Sequence, residues 1–228
     1  MTFSILAIDQ KTGTLGAAAA TGSLCVGGWV LRGQLDAGLV ASQGTAPSTF
    51  WRDEALAAMG TGMSAEKALL SVTKDDAGQD HRQLATLDRR GLTASHTGAK
   101  SVAWAGARSG EGFICTGNML TGPRVLDALA GRFEPVAATM ADRLLGGLRA
   151  AEAEGGDSRG LLSAAMLVLT PDAPPLDLRV DHSATPLSDL AALLARVRTR
   201  PYADWLHEVP VQNDRARTGR TSGSGAAE

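Results

Sequence analysis

The chain has 228 residues, 44% hydrophobic and 20% charged, with a net charge of −2. That length suffices to bury a substantial core in one large domain, and the near-neutral balance offers no basic footprint for nucleic acid. No apolar run approaches the roughly 20 residues that cross a bilayer, and Met1-Thr2-Phe3-Ser4-Ile5 lacks the basic start and long apolar stretch of a secretory signal. A cytoplasmic location is expected, with neither nucleic acid nor membrane as a partner. Cys25, Cys115 and the four histidines show no metal-ligand spacing, so reduced thiols and the absence of metal or cofactor are expected.

Residues 3–9 and 15–21 are short apolar runs joined by Gln10-Lys11-Thr12-Gly13, a hairpin signal. Residues 24–32 and 37–42 continue the strand-like pattern. The period then changes, with Phe50, Trp51, Leu56 and Met59 recurring at helical spacing over 48–59. Ser64 reads as the N-cap of a second helix that reaches about Thr73. Strands return at 83–88 and 92–97, around Arg89-Arg90-Gly91, and again at 101–107 and 112–116. Pro123 opens a helix to about Phe133. An Ala/Leu-rich helix covers 135–154 and stops at Gly155-Gly156. Residues 163–169 and 176–181 form a hairpin across 171–175, and Pro186 begins a helix reaching about Arg200.

Strands and helices come in blocks and do not alternate singly, which argues against a parallel βαβ sheet. The pattern predicts an α+β fold: a four-layer αββα sandwich of two mainly antiparallel sheets. The domain spans residues 1–205, and the Gly/Ser/Ala-rich end makes 206–228 a flexible tail. The tryptophans and Ala/Leu-rich helices offer apolar surface for a homo-oligomer. Trp29, Trp51 and Trp104 read as core or interface residues, and Trp205 as a subunit contact.

Thr2 is the first candidate for chemistry. A small second residue permits removal of Met1, which gives Thr2 a free amino terminus. A terminal threonine joins a hydroxyl nucleophile to an α-amine able to take its proton, with an unperturbed pKa of roughly 7.7–8.0. Asn118, in Gly117-Asn118-Met119, presents an amide suited to a developing oxyanion. The same donors also serve an Asx-type turn, so both uses stay open. Gly155-Gly156-Asp157-Ser158-Arg159-Gly160 supplies Asp157 and Arg159 for gripping a carboxylate-bearing or zwitterionic substrate, or for a loop-fixing ion pair. Arg82 and Gln83 open a mid-chain strand; they either face the site or leave Arg82 to pair with Asp80 or Asp88.

Thr2-Phe3-Ser4-Ile5-Leu6-Ala7, a turn and Gly16-Ala17-Ala18-Ala19-Ala20 resemble the first hairpin of N-terminal-nucleophile (Ntn) hydrolases such as proteasome β-subunits. Where those proteins carry a lysine at the end of the third strand, this chain has Arg32. Their acidic residue near the end of the second strand has no counterpart within 17–20.

A closer resemblance extends over residues 2–182. Thr2-Phe3-Ser4-Ile5, Arg82-Gln83 with Asp88 and Gly91, and Thr97-Gly98 look like the bacterial family of unknown function numbered ten twenty-eight. So do Gly117-Asn118-Met119-Leu120, Gly155-Gly156-Asp157-Ser158-Arg159-Gly160, Ser163-Ala164-Ala165 and Asp177-Leu178-Arg179-Val180-Asp181. Leu162 stands where that family usually has Gln, and Ser42-Gln43-Gly44-Thr45-Ala46-Pro47 keeps its pattern only in part. The resemblance implies an Ntn-hydrolase fold. The function expected is hydrolysis of an amide bond in a small molecule or short peptide. Thr2 and Asn118 are its catalytic residues; Arg82, Gln83, Asp157 and Arg159 bind substrate. The competing expectation is an inactive Ntn scaffold used for ligand binding or assembly.

Overall fold

Alternation along the first two strands decides where the layers lie. Thr2–Asp9 (β1) and Thr14–Thr21 (β2) pair antiparallel, with Thr2 opposite Thr21. Successive side chains of a strand point to opposite faces. Phe3, Ile5 and Ala7 therefore share one face of β1, while Thr2, Ser4 and Leu6 share the other. The structure, a computed structural model, describes residues 2–133 and 138–218.

The remaining strands are Leu31–Gln34 (β3), Gly38–Gly44 (β4), Arg82–Asp88 (β5), Thr93–Thr97 (β6), Gly106–Gly110 (β7), Phe113–Asn118 (β8), Ser163–Thr170 (β9) and Ala173–Val180 (β10). The helices are Val26–Trp29 (α1), Thr49–Gly60 (α2), Ala65–Thr73 (α3), Arg124–Phe133 (α4), Met140–Ala153 (α5), Pro186–Val197 (α6) and Tyr202–Trp205 (α7). Two antiparallel sheets result, one in the order β10-β9-β2-β1-β8-β7 and one in the order β3-β4-β5-β6.

Three apolar clusters follow from the alternation. Phe3 and Ile5 meet Leu126, Leu144, Leu148 and Leu190 of the helices α4, α5 and α6. Leu6, Leu15 and Ile114 of the larger sheet meet Leu39 and Leu87 of the smaller. Val40 and Leu84, on the other face of the smaller sheet, meet Trp51, Leu56 and Met59 of α2 and Leu69 of α3. Each such side chain stabilises the fold by about 1.5–3 kcal/mol on burial. Ser48, Ser64 and Thr139 cap α2, α3 and α5 by accepting from Trp51, Lys67 and Asp142 N–H.

Four segments differ from the sequence pattern. Residues 24–32, expected as a strand, form α1 and then enter β3. Gly27 explains the turn: a Cβ there would lie 2.8 Å from the Ala165 Cβ and 2.9 Å from the Arg179 Cγ, so α1 presses its bare backbone onto β9 and β10. Residues 101–105, expected as strand, are a loop whose Trp104 exchanges backbone hydrogen bonds with Leu120, at 3.2 and 2.9 Å. Pro174 and Pro175 lie inside β10, an edge strand whose outer side requires no N–H, and the register shift between Ala173 and Leu176 leaves both outside the regular pairing with β9.

Residues 206–218, expected within the tail, are mostly exposed but touch the body of the domain at two points. Val211 is buried, and Asn213 donates its N–H to Pro171 O at 3.1 Å and its amide to Asp172 Oδ1 at 2.6 Å. The rest of the predicted tail, 219–228, and the predicted start of α5 at Pro135 lie outside the described residues. Among the described residues, no helix is long and apolar enough to cross a membrane.

Candidate active site

β1 lies inside the larger sheet, so its first residue has a strand on each side. Thr2 is opposite Thr21 on β2 and opposite Asn118 on β8. Directly opposed residues have Cβ atoms roughly 4.5–5.5 Å apart on the same face. Register alone therefore gathers Thr2, Thr21 and Asn118 at one end of the sheet, on the face turned to the smaller sheet. The Thr2 hydroxyl donates to Thr21 Oγ1 at 3.2 Å.

Gln43 on β4 and Gln83 on β5 are register partners that reach across from the facing sheet. Ser4 Oγ donates to Gln43 Oε1 at 2.9 Å and lies 3.0 Å from Thr116 Oγ1. Gln43 Nε2 donates to Gln83 Oε1 at 2.7 Å and, more weakly, to Thr2 O at 3.4 Å. Asn118 Nδ2 donates to the same Gln83 oxygen at 3.2 Å. Gln83 Nε2 faces Thr97 Oγ1 and Gly117 O, each at 2.9 Å, and Gly106 O at 3.2 Å. Two amide hydrogens serve three acceptors, so one is shared. These side chains form a polar plug in an otherwise apolar interface between the sheets, with Gln43 and Gln83 almost fully buried.

Outside the plug, Thr2 lines a cleft of about 510 Å³. Thr21, Gln43, Thr45 and Arg159 give it polar walls, while Leu24, Trp29, Val30, Pro47 and Met119 give apolar ones. Among the described residues, the non-glycine positions at positive φ are Met119 (57°), which lines the cleft, and Cys25 (59°), between the lining residues Leu24 and Val26. Such backbone costs on the order of 1–3 kcal/mol and concentrates at functional sites. Met119 is held there by its N–H, which donates to Val102 O at 2.8 Å.

Asp157 and Arg159 divide their tasks. Asp157 accepts from Gly22 N–H at 2.5 Å, from Arg159 N–H at 2.9 Å and from the Arg159 guanidinium at 3.2 and 3.3 Å. Gly22 permits this approach, since a Cβ there would fall 2.8 Å from the Asp157 carboxylate and 2.5 Å from Gly160 O. The Asp157 side chain is wholly buried, whereas that of Arg159 is 44% exposed. Arg159 lines the cleft and Asp157 does not.

Of the residues singled out from sequence, the structure brings Thr2 and Arg159 to one cleft and sets Asn118 beside Thr2. Gln83 lies behind Asn118 in the plug. Arg82 sits elsewhere: it points to the opposite face of β5, pairs with Asp76 and lies over the Trp51 ring at 5.5 Å. Thr21, Gln43 and Trp29 line the cleft as well: Thr21 follows from counting the first hairpin outward from its turn, whereas Trp29, expected as a core or interface residue, is half-exposed on the cleft wall. The thiol of Cys115 is buried within the larger sheet, and that burial pushes its pKa up, away from reactivity. Among the described residues, no three metal-ligating side chains come together.

No curated protein matches the chain. The crystal structure of protein SPO2555 from Silicibacter pomeroyi, of the family DUF1028, is 48% identical and superposes with a TM-score of 0.91, over 95% of this chain and 98% of that one. HslV from Trypanosoma brucei is 14% identical with a TM-score of 0.46, over 73% of this chain and 99% of that one, too distant to carry an argument. Residues 2–190 match the family of unknown function DUF1028, and the chain belongs to that family.

Proposed function

We propose that this chain is a threonine-type amidohydrolase built as a four-layer αββα sandwich of the Ntn kind, acting on a small-molecule or short-peptide amide. The observation that carries the reading is the position of Thr2: the first residue of an internal strand, on the wall of a cleft, with an asparagine as its register partner. A cleft near 510 Å³ falls in the size range of small-molecule sites.

Removal of Met1 frees the Thr2 amine. The neutral amine takes the proton of its own hydroxyl, and Oγ1 attacks the amide carbon. The carbonyl oxygen becomes an oxyanion, which receives a hydrogen bond from Asn118 Nδ2. Gln83 holds one hydrogen of that amide and so sets its direction. The C–N bond breaks, and the leaving amine takes the proton from the α-ammonium. Water, deprotonated by the same amine, then attacks the Thr2 ester, releases the carboxylate product and restores the hydroxyl.

Among the described residues lining the cleft there is no carboxylate, histidine or lysine, so the α-amine is the base this mechanism requires. The test is release of primary amine from a panel of N-acyl amides by protein with Thr2 at its terminus. Thr2→Ala is expected to abolish release and Thr2→Ser to retain part of it. Protein with a free Thr2 that cleaves nothing in the panel would favour the binding-scaffold reading.

A further inference from the structure

We infer that the cleft takes a monoanionic substrate with an apolar body: an N-acyl amide whose leaving group carries a carboxylate that docks on Arg159 and an aromatic or aliphatic group that lies against Trp29. This deepens the proposed function and rests on it for the bond cleaved, but its binding claim stands on the cleft wall.

Arg159 is the sole ionised side chain among the described residues lining the cleft. Its partner Asp157 is sealed from solvent, so the ion pair turns only its positive half outward. Asp157 holds the guanidinium through Nε and Nη2, and Ser23 Oγ accepts from Nη2 at 3.3 Å, which fixes the plane of the fork. A pre-set guanidinium with its outer edge exposed suits a carboxylate better than a lone cation would. A zwitterion is disfavoured, because Asp157 cannot reach an ammonium in the cleft.

The remaining wall supplies the second half of the specificity. Trp29 is 53% exposed and Leu24 54% exposed, both on the cleft. Pro47 and Met119 extend the apolar surface toward Thr2. Arg52, almost fully buried, fixes the Trp29 backbone by donating Nη1 to Trp29 O at 2.9 Å and to Gly28 O at 2.8 Å. The indole is thus carried on anchored backbone at the rim.

The experiment uses three probes of one skeleton: N-acetyl-L-phenylalanine (anionic), its primary amide (neutral) and its 2-aminoethyl amide (cationic). Calorimetry on the Thr2→Ala protein reads binding without turnover. The anion is expected to bind about tenfold or more tightly than the neutral probe, and the cation most weakly. Asp157→Asn/Arg159→Gln, which removes both charges together and avoids a stranded buried carboxylate, should bring the anion preference to within about twofold. Trp29→Ala should weaken the anionic and neutral probes by the same factor.

Equal binding of anion and neutral probe, a preference that survives in the double variant, or no binding of any probe at millimolar concentration overturns the inference. Acetate release by protein with free Thr2 separates the two readings. Arg159-dependent binding with no acetate released refutes the amidohydrolase and leaves the inference standing. Equal turnover of all three probes does the reverse.

Discussion

Gln83→Leu removes the centre of the polar plug while nearly keeping its volume. Gln83 Oε1 accepts from Gln43 Nε2 and Asn118 Nδ2, and its Nε2 donates among the acceptors Gly117 O, Thr97 Oγ1 and Gly106 O. Leucine supplies none of these bonds. Two or three buried groups are stranded at about 1–3 kcal/mol each, a loss of roughly 2–9 kcal/mol. A domain of this size holds about 5–15 kcal/mol in total, and each kcal/mol moves Tm by about 2–4 °C, so Tm should fall by at least about 4 °C, and the upper end of that loss would leave the variant largely unfolded. Urea titration followed by circular dichroism gives the loss directly, as a lower midpoint at similar slope. Turnover by the folded fraction should fall too, because Asn118 loses the bond that aims its amide. A loss under about 1 kcal/mol would show that water replaces the glutamine and that the plug does not unite the sheets.

Asn118→Ala should cost about 10²–10³ in kcat with little change in KM, as deletion of one oxyanion donor does; steady-state kinetics on N-acetyl-L-phenylalanine check it. Asp88 is buried, which works against its ionisation, but bonds from the Arg90 guanidinium and from the N–H groups of Ala65, Arg90 and Leu92 outweigh that and hold its pKa below the ordinary value. A depressed pKa stabilises the fold above the unfolded value near 3.9, and this stability is lost as pH falls through the lower folded value. Asp88→Asn should therefore lower Tm at pH 7, with a gap from wild type that narrows below about pH 4; melts across that range would contradict this if the gap stayed constant. The exposed Phe50, Tyr202 and Trp205 support association of copies, and light scattering at micromolar concentration is expected to give a mass above 23.5 kDa.

Block order and alternation made the two antiparallel sheets legible before the structure, because a half-buried strand writes its faces into every second residue. Segment 24–32 misled for the opposite reason: its residues are apolar, but close contact of Gly27 with Ala165, far away in sequence, turns them into α1. The contacts of 206–218 with Pro171 and Asp172 are equally nonlocal. In the site, Arg82 and Gln83 are neighbours on one strand, so alternation already forbade both from facing one cleft. Which of them turned toward the larger sheet depended on the register of β5 against β4, which pairs Gln83 with Gln43 and seats it in the plug behind the cleft. The separation of Asp157 from Arg159, one sealed and one exposed, depended on the approach of Gly22, a contact across 135 positions.

The most direct test of the Thr2 mechanism compares one preparation before and after enzymatic removal of Met1, with intact mass reporting the state of residue 2. Amide hydrolysis should be absent while Met1 is attached, should appear in proportion to the fraction trimmed, and should stay absent in trimmed Thr2→Ala. Equal hydrolysis with Met1 in place, or none after complete trimming, would contradict the assignment of Thr2 as nucleophile and its amine as base.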